Sequence, residues 1–410
     1  MEEHVQASRM TERYVKKREA ILHAAAQLFN QHGIKGATLS DVAGSVGLST
    51  NSITYYYKKK EDLVVACLLR SIEVISGICD EAVRGATPEL RVRAFIRLLF
   101  ARLASIGREQ APELMSFRDV QMLGSPHAEV IFSAYTDLFR RARQLLVDGR
   151  PPLEQRAGIN ARCHLLLTLG VTSLRWCARY DPDDYELVGE EMADMLIGGL
   201  CAGGMRWHPV ALDEALAHPP LTVDSTQDAF LRAATALINE LGYRGASVDR
   251  ISARLNVTKG SFYHHNPNKE DLISSCFART FAVIRQAQMT ARHGPGSGWD
   301  KLCALSRALV RYQFSEHGPL LRMSAWSELP EDLRAQTLHA VNQIELRYAS
   351  FVVEGMKDGS IRPVDQTVAA LLVSNMVNAA VVLDRWIPDV SADDAVELFA
   401  RPLFVGILAQ

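Results

Sequence analysis

Two short runs carry side chains suited to touching a polyanion. The first is Ser49, Thr50, Asn51 and Ser52, followed by Tyr55, Tyr56 and the lysines Lys58, Lys59 and Lys60. The second is Thr258, Lys259, Gly260 and Ser261, followed by Tyr263, His264, His265 and Lys269. Hydroxyl, amide and ammonium groups donate to phosphate oxygens, and the ones that project into a groove meet base edges. Each run also has a bland reading. Three lysines alone would be a solvated face, and adjacent histidines point to different sides of a helix, which makes a poor metal pair.

Position decides between these readings, because the two runs are copies of one another. Residues 20–75 align without a gap onto 229–284 at a constant offset of 209, with 18 identities in 56 positions. The identities include Leu22/Leu231, Ala25/Ala234, Gly33/Gly242, Gly36/Gly245, Ser52/Ser261 and the tetrad Lys60-Glu61-Asp62-Leu63 against Lys269-Glu270-Asp271-Leu272. A period this long exceeds the roughly 20 to 50 residues of solenoid repeats and suits duplication of a whole unit. The proline-bearing stretch from Trp207 to Pro220 marks the junction.

The elements that position each run follow from periodicity. Ile21, Ala25, Leu28 and Phe29 fall at helical spacing, and Gly33 and Gly36 end that helix. Thr38 stands three residues before Asp41 as an N-cap, and Leu39, Val42, Ala43 and Val46 give a short second helix its buried face. Gly47 stops it, and a polar third helix starts after Ser49. Two short helices about a tight turn, the second unusually polar, form a helix-turn-helix. In the second copy Phe230, Ala234, Leu237, Ile238, Ile251 and Leu255 repeat the pattern, with Asn256 in place of Gly47. Asparagine is the side chain that best tolerates the left-handed turn required there.

The segments Gly47 to Leu63 and Asn256 to Leu272 resemble the signature of the tetracycline-repressor (TetR) family. The resemblance implies an all-α fold of two tandem units, each a three-helix head and a helical ligand-binding and dimerisation body, paired as a pseudo-dimer. It divides the chain into a head at 14–60, a body at 61–206, a linker at 207–222, a second head at 223–269 and a second body at 270–410. By the same resemblance Thr38, Ser247, Ser49 and Thr258 hold phosphate at helix starts. Thr50, Asn51, Ser52 and Tyr55 face bases or backbone in the first head, and Lys259, Gly260, Ser261, Tyr263 and His264 do so in the second. Tyr56, His265, Lys60 and Lys269 bind phosphates. Thr54 stands where the family usually has tyrosine, Asn51 where it has glycine, and Asn266 followed by Pro267 where it has an aromatic. The reading surfaces of the two copies thus differ, and an asymmetric operator is expected.

Apolar periodicity continues through 63–82, 90–106, 113–123, 128–146, 161–180 and 185–200, and again through 272–290, 299–314, 320–329, 333–356, 368–386 and 392–408. Leu165, Leu166, Leu169 and Val171 in one half, with Leu371, Leu372, Met376 and Val377 in the other, supply the faces of an intramolecular four-helix bundle. The chain is therefore expected to be monomeric, with double-stranded operator DNA and a small apolar or amphipathic effector as partners. Phe117, Arg118, Gln121, Trp326 and Glu328 lie in the helices that line the family's pocket, but an aromatic at helical spacing is more often core, and no ligand residue is assigned.

Composition agrees with this reading and excludes others. The net charge of -2 is neutral on the question of nucleic acid, which rests on local patches. Seven scattered cysteines without a C-x-x-C pair fit a reducing cytoplasm, and no run of ~18 uninterrupted apolar residues suggests a membrane span. No Gly-rich phosphate loop, H-E-x-x-H or G-x-S-x-G occurs, so neither a cofactor nor an enzyme is expected. The competing reading is a regulator with one idle head, its half serving only for dimerisation or sensing.

Overall fold

The computed structural model describes residues 2–117, 123–149, 151–212, 225–260, 268–329 and 331–409. Among these residues the fold is all-α, with one isolated antiparallel bridge between Cys201 and Ile361. The first half runs α1 (Glu2–Gly36), α2 (Leu39–Ser45), α3 (Thr50–Tyr56), α4 (Lys60–Ala82), α5 (Pro88–Gly107), α6 (His127–Arg143), α7 (Leu153–Trp176) and α8 (Tyr185–Gly198). The second runs α9 (Ser225–Gly245), α10 (Val248–Arg254), α11 (Lys269–His293), α12 (Gly298–Gln313), α13 (Glu331–Asp358) and α14 (Gln366–Ala379), ending on three helical turns at Ala392–Asp394, Ala395–Ala400 and Arg401–Val405.

Helix starts follow side-chain caps, which satisfy N–H groups that have no partner within the helix. Thr87 accepts from the Leu90 amide with Pro88 in the first turn, Ser297 and Asp300 form a reciprocal capping box, and Asp365 accepts from the amides of Thr367 and Val368. Of the linker expected at 207–222, residues 213–222 lie outside the described residues. Trp207 belongs to the second half's surface, since its ring meets Phe404 at 4.9 Å and its Nε1 donates to Glu397.

The two bodies share one continuous core. Leu165, Leu166 and Leu169 of α7 are fully enclosed, as are Leu371, Leu372 and Met376 of α14, in the same cluster that runs down to Ile21 and Phe29 of the first head. Val171 is half-buried. The stretch Gln366–Arg385 has a mean hydropathy of 1.6, enough by length and composition to cross a membrane, but most of it is buried inside the protein, as a core helix would be. The second head has a smaller cluster of its own, including Phe230, Leu231, Ile251 and Leu272, into which Leu321 and Leu329 also pack.

Polar groups lock the same junction. His164 on α7 donates from Nε2 to the Ala379 carbonyl at 3.2 Å, and its Nδ1 meets the Thr168 hydroxyl at 3.3 Å. Its ring stacks on Phe399 at 5.3 Å. Asn160 donates to the Trp386 carbonyl, and the Trp386 ring lies flat on Phe139 at 3.8 Å. At the far end the halves interlock through backbone, with Leu200 donating to the Phe404 carbonyl at 2.8 Å and Ile407 to the Leu196 carbonyl at 2.7 Å. Two glycines permit that crossing. Gly199 (φ 70°) and Gly406 (φ 105°) both adopt left-handed backbone, and a Cβ on either would overlap a carbonyl of the opposite half.

Gly199→Ala is therefore expected to lower stability by more than about 2 kcal/mol through backbone strain and overlap, read as a drop in the denaturant midpoint. A change under about 0.5 kcal/mol would contradict the crossing. Burial, with the nearby cations Arg322 and Arg385, pulls His164 down to about 4 from 6.5 despite its bond to Ala379. The unfolded chain takes up a proton near 6.5 that the folded chain refuses until about 4, so this contribution is complete above pH 6.5 and is lost as pH falls towards 4. The loss amounts to roughly 3 kcal/mol, and His164→Gln should flatten that part of the stability profile.

Candidate nucleic-acid interface

The first head is built from caps and one tight turn. Thr38 precedes α2, its Oγ1 accepting from the Asp41 amide at 3.1 Å while the Asp41 carboxylate accepts from the Thr38 amide at 2.8 Å and hydroxyl at 2.7 Å. Those bonds hold Asp41 below its ordinary value. Gly47 turns the chain at φ 64°. Ser49 then caps α3, accepting from the Ser52 amide at 3.2 Å, with the two hydroxyls 2.9 Å apart. Ile53 is the fully buried side of α3, so its other face is presented outward. That face holds exposed Thr50 and Asn51, half-buried Ser52, and Tyr55, which is 77% exposed.

Two predicted phosphate contacts sit differently from the rest. Tyr56 is half-buried, its ring stacked on Tyr14 of α1 at 4.9 Å and edge-on to Tyr55 at 5.4 Å. Lys60 turns inward and donates to the Ala37 carbonyl at 3.2 Å, which ties the start of α4 to the start of α2. An ammonium has three donors, so this bond does not use up Lys60. The exposed lysines of the run are Lys58 and Lys59, neither of which was given a contact of its own from the sequence.

The second head repeats the scaffold with other letters. Ser247 caps α10 through the Arg250 amide at 3.3 Å. Asn256 takes φ 54°, matching Gly47 and the left-handed turn expected there. Thr258, Lys259 and Gly260 are exposed, and Lys259 pairs with Asp249 of α10. Lys269 donates to the Tyr243 carbonyl and lies 4.2 Å above that ring, the counterpart of Lys60. Ser261, Tyr263, His264, His265, Asn266 and Pro267 lie outside the described residues.

What fixes each head to its body was missed by periodicity. The windows 113–123 and 320–329 were expected to be helical, yet residues 112–116 take no regular secondary structure, and in the second half only Met323–Glu328 forms a short 3-10 turn. A buried strap of this kind must find partners for its backbone outside itself. Asn30 donates to the Leu114 carbonyl at 2.8 Å and accepts from the Ser116 amide at 2.9 Å. Asn239 does the same for the Leu320 carbonyl at 2.9 Å and the Arg322 amide at 3.0 Å. The hydroxyls of Ser71 and Thr280 accept from Met115 and Leu321, each at 2.9 Å, and Arg70 and Arg279 donate to the carbonyls of Glu113 and His317. All three pairs are related by the same 209-residue offset. Head helix, α4 or α11, and body strap are thus joined at one polar knot in each half.

The residues noted in the family's pocket-lining helices, none of them assigned to a ligand, divide. Phe117 is half-buried against Tyr135 at 5.7 Å, and Trp326 donates to the Arg334 carbonyl at 3.2 Å. Arg118, Gln121 and the Glu328 side chain lie outside the described residues. Cys67 and Cys276 are buried equivalents whose thiols contact the carbonyls of Leu22 and Leu231 at 3.6 Å, and burial pushes them up to about 12 and about 11. All seven cysteines are free.

A helix-turn-helix in the first head, with the matching first helix and left-handed turn in the second, defines a duplicated DNA-reader type of protein. The profile for bacterial regulatory proteins of the tetR family matches residues 21–67 and again 230–276, and one for a tetracyclin repressor-like C-terminal domain matches 295–384. The tetR-family head module is thus matched twice in this chain, and a tetracyclin repressor-like C-terminal module once. It is similar to the transposon Tn10 TetC protein of Escherichia coli, 30% identical over 118 residues that span 27% of this chain and 59% of that one. It is also similar to the HTH-type transcriptional repressor KstR2 of Mycolicibacterium smegmatis, 22% identical over 45% of this chain and 90% of the relative. Among solved structures, apo AibR aligns over 44% of this chain and 99% of its own, at 21% identity and a TM-score of 0.37. The alignment with KstR2 takes in nearly all of that relative and just under half of this chain, as a tandem pair of units requires.

Asn239→Ala should leave two strap groups without partners and lower stability by about 2 to 4 kcal/mol, and Asn239→Asp, which keeps the acceptor but sets a buried carboxylate against the Leu320 carbonyl, should cost at least as much. Losses under about 0.5 kcal/mol for both variants, measured by denaturant unfolding, would contradict the strap's role.

Proposed function

We propose that this protein is a sequence-specific, ligand-responsive transcriptional repressor whose single chain acts as a pseudo-heterodimer on an asymmetric operator. The observation that supports this best is the junction of α7 and α8 with α14 and the C-terminal turns, where the two bodies share a core and interlock by backbone. Covalent linkage raises the effective concentration of the pairing faces to about millimolar for a suitable connection, so the chain needs no second copy.

Thr38, Ser49, Ser247 and Thr258 present helix N-termini to phosphate, where their amides and the helix dipole favour an anion. Thr50, Asn51, Ser52 and Tyr55 read one half-site, and Lys259, Gly260, Ser261, Tyr263 and His264 read a different one. Tyr56, His265, Lys60 and Lys269 approach the backbone, joined in the first head by Lys58 and Lys59. The second head has Pro267 and Asn268 where those lysines stand, so it carries less positive charge at that corner. The 14–60, 61–206, 207–222, 223–269 and 270–410 division is retained, with operator DNA and a small amphipathic effector as partners.

Footprinting on the region upstream of its own gene should protect two dissimilar half-sites roughly one helical turn apart. Replacing Lys58 and Lys59 together with Gln should weaken binding at all sequences and reduce the salt slope by about two. Protection of one half-site only, unaffected by changes in the other head, would favour the single-working-head reading instead.

A further inference from the structure

Arg322 follows Leu321 in the second strap and lies close to the junction of the halves, since the adjacent Met323 amide donates to Asn378, next to the carbonyl that His164 bonds. Its Nε is sealed from solvent and has no hydrogen-bond partner, and no carboxylate pairs with it among the described residues. The charge that acts most on it is a second cation, Arg385. An unpaired guanidinium in such a place is costly, and proteins keep one there when something else supplies the negative charge.

The surroundings are aromatic. Phe117, Tyr135 and Trp386 run ring to ring at 5.7 Å and 5.9 Å, so the strip is built from both halves of the chain. Burial pulls Arg322 down to about 10 and pushes the Tyr135 phenol up, yet both residues, like Phe117 and Trp386, keep some accessible surface. These four side chains thus keep surface that a small molecule could cover. An apolar wall with one placed charge is the usual make-up of a small-molecule site.

We propose that Arg322 is the headgroup anchor of an effector site at the junction of the two halves, which takes an amphiphile with an anionic head and an apolar tail lying on Phe117, Tyr135 and Trp386. This rests on the reading of the chain as an effector-responsive regulator. The strap geometry makes the site single. The amide of Ser116 bonds Asn30 as that of Arg322 bonds Asn239, so serine stands at the matching strap position in the first half. A planar guanidinium suits a carboxylate or a phosphate, and either head shares this chemistry.

The test is calorimetric titration of the full chain, without DNA, using decanoate, decyl phosphate and 1-decanol as probes. One anionic amphiphile should bind per chain, at least about tenfold tighter than decanol. Arg322→Gln should remove that preference and leave decanol binding unchanged. Arg322→Met should melt at a higher temperature than the parent without ligand and show no further rise with decanoate, which guards against a variant that merely fails to fold. Stronger binding by decyl phosphate or by decanoate tells the head class apart and supports the site either way. Equal binding of decanoate to the parent and Arg322→Gln, no binding of either anion, or two anions per chain would overturn it. DNA binding is scored separately, so a chain that binds the amphiphile but no operator sinks the regulator reading, and one that binds operator but no anion sinks this site alone.

Discussion

The close crossing of the two halves is the constraint on which the rest of the molecule depends. Gly199 and Gly406 allow one backbone to pass against the other, and the amides of Leu200 and Ile407 bond across at that point. With the chain ends held there, α7 and α14 bury their apolar faces on each other, and His164 is drawn into the seam as a neutral ring. A duplicated gene product could have remained two units on a string. Here the bodies have one core.

The heads inherit their placement from that core through two polar knots. Asn30 and Asn239 each hold a carbonyl and an amide of a strap, and the strap in turn borders the seam between the halves. Any ligand that moves the strap must therefore disturb bonds made by the first helix of a head. The second head has a core of its own and receives Leu321 and Leu329 from its strap, whereas the first head merges with the main core. The two heads are thus unequally coupled to the body, in line with the divergence of their reading faces.

Much of this was legible in the sequence because it depends on local chemistry. Capping by Thr38, Ser49 and Ser247 follows from one side chain and the amide three residues on, and the left-handed turn follows from Gly47 and Asn256. The apolar faces of α7 and α14 were visible as periodicity. What escaped depends on partners distant in the chain. Asn30 and Arg70 aligned with Asn239 and Arg279, but nothing local tells a strap-holding asparagine from a surface one. The straps have apolar residues at spacings that read as helix, and only the side-chain partners that satisfy their backbone keep them out of one. Lys60 was expected at phosphate, and its inward bond escaped notice because the carbonyl it meets lies 23 positions earlier. Arg322 carried no signal at all, since its lack of a counter-charge is a property of the assembled seam.

The central claim is that one chain supplies both halves of the reader. Sedimentation or light scattering of the protein bound to an operator duplex measures this directly. The structure predicts a complex containing one chain per duplex, with the free protein also at the mass of one chain. Two chains per duplex, with the free protein at twice the chain mass, would contradict it.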